Sequence, residues 1–162
     1  MPEHPAVTIL VVDDDEGHCE LIRRNLRRGG VSNPVVTLHR GKDALAYVRE
    51  RGRDRHANEP ERLLMLLDIN MPGGLNGVDV LREIKADPVT RKIPVIILTT
   101  TDDPREIGRC YDLGCSIYIT KPVEAQAFID AIKRLGLLVS IVSLAPMRPD
   151  GAPTPLLPGD QP

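Results

Sequence analysis

Cysteine is scarce in this sequence: Cys19, Cys110 and Cys115 form an odd set with no paired spacing. That excludes a disulfide framework and a cysteine-based zinc site, and leaves three reduced, structural thiols. No apolar run reaches the length of a membrane-spanning helix, and Met1 to Ala6 carries neither an apolar stretch nor a cleavage signal. A cytoplasmic location without membrane association is expected. Charge of one sign is also lacking. A formal net charge of -2 and a pI near 6.1 offer no clustered basic surface, so nucleic acid is not expected as a partner.

What remains is an ordinary soluble composition, 41% hydrophobic and 27% charged, in 162 residues. That length gives room for one domain with a full core and a short appendage, but not for a second globular domain. Residues 1–6 read as an extension and 7–144 as the domain. From Ala145 onward the composition shifts to Pro, Gly and small polar residues, so 145–162 reads as a Pro-rich tail favouring extended geometry.

Within the domain, short runs of Val, Ile and Leu alternate with longer amphipathic stretches, the pattern of a doubly wound α/β fold with a parallel sheet covered on both faces. Five strand-helix units are expected. The strands are Val7 to Val12, Val35 to Leu38, Leu63 to Leu67, Val95 to Leu98 and Ile117 to Thr120, the third being the most apolar and therefore central. The helices run from about Glu16 to Arg28, Lys42 to Arg51, Val78 to Ala86, Pro104 to Leu113, and onward from Pro122, the last with Phe128, Ile129, Ile132 and Leu135 on one face. Gly29-Gly30, Asp87-Pro88 and Gly114 supply stops, and a polar loop from Gly52 to Arg62 precedes the third strand.

Open parallel sheets bind ligands at the carboxyl ends of their strands, so the residues just after each run belong together. They are Asp13-Asp14-Asp15, Asp68, Thr99 and Lys121. Taken singly, each fits a cap, a turn or a strand end, with Asp15 well placed to cap the first helix. Together they gather carboxylates, a hydroxyl and an ammonium at one edge. Carboxylates so close repel unless a cation sits among them, and a hard divalent ion that takes one or two carboxylates, water and phosphate oxygens matches magnesium. A carboxylate beside that ion is able to act as nucleophile towards a phosphoryl group, giving an aspartyl phosphate.

Four segments then resemble the signature segments of response-regulator receiver domains: Ile9 to Asp14, Leu67 to Pro72, Pro94 to Thr99 and Ile119 to Pro122, in the same order. The resemblance covers roughly residues 7 to 142 and implies a flavodoxin-like (βα)5 fold. It further implies that Asp13 and Asp14 bind Mg2+ with Asp68 and the Asn70 backbone carbonyl, that Asp68 accepts the phosphoryl group, and that Thr99 and Lys121 contact it. Tyr118 falls where the family places its switch aromatic, acting with Thr99. A sensor histidine kinase is the implied partner, with the first helix as its docking surface. Because no tryptophan is present, tryptophan fluorescence cannot follow Mg2+ binding.

Leu98 to Thr101, Tyr118 to Pro122 and the stretch Leu137 to Leu144 resemble more narrowly the regulators paired with phytochrome-type histidine kinases. The apolar run Leu137 to Leu144 exceeds what the end of a surface helix needs, so a homodimer through the fifth helix and the following arm is expected. With no output domain expected, signalling would proceed by protein-protein contact. Two departures stand out: Pro72 to Gly77 forms a loop one residue longer than the family's, and Thr100 replaces a small residue, often Ala, that lines access to the acceptor. His4, His18, His39 and His56 lack ligand-like spacing and are expected as surface residues without a role. Two other classes share parts of the pattern. Haloacid-dehalogenase-like phosphatases also use an Asp nucleophile, Mg2+ and a Lys, but Asp68 is followed by Ile69-Asn70 instead of their Asp-x-Asp; a non-phosphorylated scaffold would not need the acidic pair and Lys121.

Overall fold

The structure, a computed structural model, describes residues 7–53 and 62–141. The expected extension 1–6, most of the polar loop, and the tail 145–162 lie outside the described residues. Five parallel strands, β1 (Val7–Val12), β2 (Val35–Leu38), β3 (Arg62–Leu67), β4 (Val95–Thr99) and β5 (Ile117–Thr120), form one sheet in the order β2-β1-β3-β4-β5. The helices are α1 (Glu16–Arg28), α2 (Gly41–Arg53), α3 (Gly77–Ala86), α4 (Pro104–Leu113) and α5 (Ala125–Ile141).

Side chains alternate across a strand, so each apolar run feeds two cores. Leu10, Val12, Met65, Leu67, Val95 and Ile97 face α2 and α3 through Leu45, Val48, Leu81 and Ile84. Ile9, Val11, Leu64, Leu66, Ile96 and Leu98 face α1 and α5 through Ile22, Leu26, Phe128 and Ile132. The most apolar run, β3, is central, as its composition requires when both faces are covered.

Helix ends follow their local chemistry. Asp15 caps α1 by accepting from the His18 backbone N–H at 3.1 Å, Asn76 and Asp79 form a reciprocal capping box on α3, and Gly114 ends α4 with φ +104°. Several bounds differ from the sequence pattern: β3 takes in Arg62, expected in the polar loop, β4 extends to Thr99 and α3 starts at Gly77. Helix α2 starts at Gly41 and reaches Arg53, so Gly52 and Arg53 belong to helix and not to the polar loop. A single 3-10 turn, Thr90–Lys92, follows Asp87-Pro88; the Thr90 hydroxyl donates to the Ile84 carbonyl, and Lys85 Nζ donates to the carbonyls of Arg91 and Ile93. These bonds from side chains to backbone carbonyls six to eight residues away leave no mark in hydrophobic periodicity.

Strand order reverses between β1 and β3, whose connections leave towards opposite sides of the sheet. A crevice opens above such a reversal. The Asp68 N–H donates to the Val12 carbonyl at 2.9 Å, which sets the ends of β1 and β3 side by side beneath it.

Candidate functional site

Asp13 and Asp68 are the first residues past β1 and β3, and the strand register that aligns Val12 with Leu67 makes them neighbours. Both are buried, whereas Asp14 is exposed. Carboxylate oxygens of Asp13, Asp14 and Asp68 lie within 4.8 Å of one another. Asp13 Oδ1 accepts the Asp15 N–H at 2.9 Å and Asp68 Oδ1 accepts the Asn70 N–H at 3.1 Å, so local turns lock both carboxylates.

Lys121 enters from the far edge of the sheet. Its N–H donates to the Thr99 carbonyl, which holds the ends of β4 and β5 together, and its buried ammonium donates to Asp13 Oδ2 at 2.7 Å and to Asp68 Oδ2 at 3.3 Å. Burial works against that charge, but the hydrogen bond and charge of Asp13, followed by those of Asp68, outweigh it and hold the ammonium above the ordinary lysine range. Three carboxylates against one ammonium leave two negative charges, those one divalent cation cancels. All donors are oxygens, which suits a hard ion.

Thr99 is fully buried at the end of β4. The Asn70 amide reaches over from the loop after β3, donating to the Thr101 hydroxyl at 3.1 Å and lying 3.5 Å from the hydroxyls of Thr99 and of exposed Thr100. Tyr118 points at the same loop, its hydroxyl donating to the Thr101 carbonyl at 2.6 Å. Burial, followed by Cys110 and Glu106, pushes the Tyr118 phenol up to about 12, so it stays a proton donor at neutral pH. The Tyr118 N–H in turn donates to the Tyr111 hydroxyl at 3.1 Å, tying edge strand β5 to α4.

The loop that follows Asp68 closes on itself. The N–H groups of Met71 and Gly77 both donate to the Ile69 carbonyl at 3.0 Å, closing the loop directly behind the acidic residue. Beyond that closure the chain passes through Gly73, at φ +87°, to Leu75 on the surface. Gly77 permits this closure, since a Cβ there would collide with the Asp68 carbonyl oxygen.

Sequence patterning placed Asp13, Asp14, Asp68, Thr99 and Lys121 at this edge; the structure gathers the three carboxylates and Lys121, with Thr99 linked through Asn70, while Tyr118, expected from the resemblance alone, reaches the Thr101 carbonyl. The patterning missed His18. The first turn of α1 swings His18 Nδ1 to 3.2 Å from Lys121 Nζ, so this histidine belongs to the site and not merely to the surface. It lies three residues past the cap Asp15 in the first turn of α1, but its partner Lys121 is 103 positions away, and no local pattern marks the contact. His39 lies next to the site, with Nδ1 3.0 Å from the Asp13 carbonyl, while His4 and His56 lie outside the described residues.

Carboxylates, a buried lysine and a strand-end threonine at the switch point of a five-stranded parallel sheet define a class of phosphoryl-accepting signalling domains. Comparison with known proteins specifies the family: the response regulator receiver domain matches residues 9–133, and the chain belongs to it. Response regulator Rcp1 of Synechocystis sp. is 32% identical over 118 residues, covering 73% of this chain and 78% of that protein. A response regulator receiver domain from Rhodospirillum rubrum superposes with a TM-score of 0.79 at 44% identity, covering 88% of this chain and 99% of that one. The phosphorylated cyanobacterial phytochrome response regulator RcpA does so with 0.75 at 34%, covering 86% and 98%. The Mn(2+)-bound form of Rcp1 gives 0.75 at 28%, covering 87% and 99%. The chain is thus a receiver of two-component signalling, a signalling protein whose family accepts phosphoryl groups from histidine kinases, and the phosphatase and scaffold alternatives are not favoured. Among the described residues no helix is long and apolar enough to cross a membrane.

Proposed function

We propose that Asp68 is the phosphoryl acceptor, that Mg2+ is held by Asp13, Asp14, Asp68 and the Asn70 backbone carbonyl, and that Thr99 and Lys121 bind the phosphoryl oxygens. The carrying observation is Lys121 Nζ shared between Asp13 Oδ2 and Asp68 Oδ2 in a buried setting. A carboxylate oxygen of Asp68 attacks phosphorus, the phosphorus-nitrogen bond of the donor phosphohistidine breaks, and the freed imidazole nitrogen takes a proton. Bound metal supplies charge neutralisation at the transferring group. Lys121 meets a phosphoryl oxygen, and Thr99 donates its hydroxyl to another.

The output is carried by Tyr118 and Thr99. A hydroxyl that turns towards the phosphoryl group alters the loop of Thr99 to Thr101, and the Tyr118 bond to the Thr101 carbonyl conveys that change to the α4 and β5 surface. The donor is a sensor histidine kinase of phytochrome type docking at α1, and the protein acts in the cytoplasm. Two chains pair through α5 and the arm that follows, where Leu137 is 63% exposed. Residues 142–144 of that apolar run, the segments 1–6 and 145–162 flanking the proposed domain of 7–144, and the arm itself lie outside the described residues.

The acceptor is tested with phosphoramidate and MgCl2: the wild-type chain gains one phosphoryl group, and Asp68→Asn gains none. Kinase choice is tested by comparing phosphotransfer rates from phytochrome-type and other histidine kinases.

A further inference from the structure

A lysine ammonium has three N–H donors and no acceptor. Here all three are matched: Asp13 Oδ2 at 2.7 Å, His18 Nδ1 at 3.2 Å and Asp68 Oδ2 at 3.3 Å. Because Nζ cannot accept, the His18 nitrogen facing it must present its lone pair, and the ring proton belongs on Nε2, 3.8 Å from Asp15 Oδ2. A proton on Nδ1 would confront the ammonium N–H, and Asp13 Oδ2, at 3.5 Å, is too far to draw it off. The ring is steadied from behind by Phe128 of α5, at 6.5 Å between centroids and tilted by 55°.

Full occupancy of Lys121 has a consequence for its chemistry. A phosphoryl oxygen arriving on Asp68 must take over one of the three hydrogen bonds. All three have an ionised donor, but two end on carboxylates and are ion pairs as well, so the bond to the imidazole is the weakest and the first to yield. We propose that His18 is a positioning residue that holds the third N–H of Lys121 aimed beside Asp68 and hands it to the incoming phosphoryl group. It acts through Lys121 and touches neither phosphorus nor metal. This role rests on the reading of Asp68 as acceptor, and it adds a determinant of phosphorylation rate that no residue pattern in the chain announces.

The test uses the full chain with phosphoramidate at saturating MgCl2. His18→Leu keeps apolar bulk against Phe128 but offers no acceptor, and its initial phosphorylation rate is expected to fall roughly five- to tenfold, the scale of one charged hydrogen bond. Its half-saturating MgCl2 concentration should stay within about twofold of wild type. His18→Asn, whose amide oxygen reaches the place of Nδ1, should recover most of the rate. Nitrogen-15 NMR of the wild-type chain should find His18 Nδ1 unprotonated with the proton on Nε2, a signature that loss of packing alone would not produce. The proposal is overturned by a Leu variant phosphorylated at the wild-type rate, by an Asn variant no faster than Leu, or by a protonated Nδ1. A wild-type chain that takes no label at all, with the tautomer as expected, instead overturns the acceptor reading and the rate role with it.

Discussion

Lys121 Nζ lies 2.7 Å from Asp13 Oδ2, joining residues 108 positions apart and spanning the ends of β3 and β4 to do so. Both partners are buried, so the pair is held by desolvated charge as well as by geometry.

Replacing Lys121 by Met leaves Asp13 and Asp68 facing each other without a counter-charge. A loss of about 3–5 kcal/mol in unfolding free energy is expected, as for breaking a buried ion pair. Adding MgCl2 should raise the unfolding midpoint of Lys121→Met more than that of wild type. The raised Lys121 ammonium stabilises the fold fully below the ordinary lysine value of 10.5, and that contribution is lost as pH rises through the folded value. Wild type should therefore lose stability above about pH 10.5 more steeply than the Met variant. Denaturant titrations across pH 8 to 12 measure both.

Tyr118→Phe keeps the ring and removes the donor to the Thr101 carbonyl. A cost of about 1 kcal/mol is expected, with faster amide exchange in Thr100 to Asp102. The phenol titrates near 12 in the folded state, so an absorbance titration should lose that step in the variant. An unfolded tyrosine ionises near pH 10. The folded state therefore binds the extra proton between about pH 10 and 12, and the phenol's contribution to stability falls as pH rises through that window.

How much of this was visible in the residues differs from element to element. The five strands and their carboxyl-end residues were legible, since period-two burial and apolar runs are local, and the parallel order follows once both faces must be covered. Asp13, Asp68 and Lys121 could be grouped before any contact was known. His18 could not, because nothing in its neighbours' polarity tells that Lys121, 103 positions away, would present an N–H to it. The 3-10 turn at Thr90–Lys92 was hidden for a different reason: Thr90 and Lys85 hold it through local side-chain bonds to backbone carbonyls, which apolar periodicity does not record. The close approach of Gly77 to the Asp68 carbonyl was likewise not legible, since it depends on how the loop folds back.

Gly77→Ala forces a Cβ against the Asp68 carbonyl oxygen. A loss of about 1–3 kcal/mol is expected, with slower phosphorylation because the displaced backbone carries the acceptor. Gly74→Ala is the control, as a Cβ there meets nothing within 4 Å, and its stability should stay within about 0.5 kcal/mol of wild type. Thermal unfolding and label incorporation on the two variants check the contrast.

Leu137 stands 63% exposed near the end of α5. If α5 and the following arm pair two chains, light scattering should find a dimer for the full chain and a monomer for a truncation ending before Leu137. A monomer in both would refute that pairing.

Identity of the acceptor is tested most directly by intact-mass measurement after incubation with phosphoramidate and MgCl2. One phosphoryl group on the wild-type chain, none on Asp68→Asn and none when the metal is chelated is the expected result. Equal incorporation into Asp68→Asn would contradict the account.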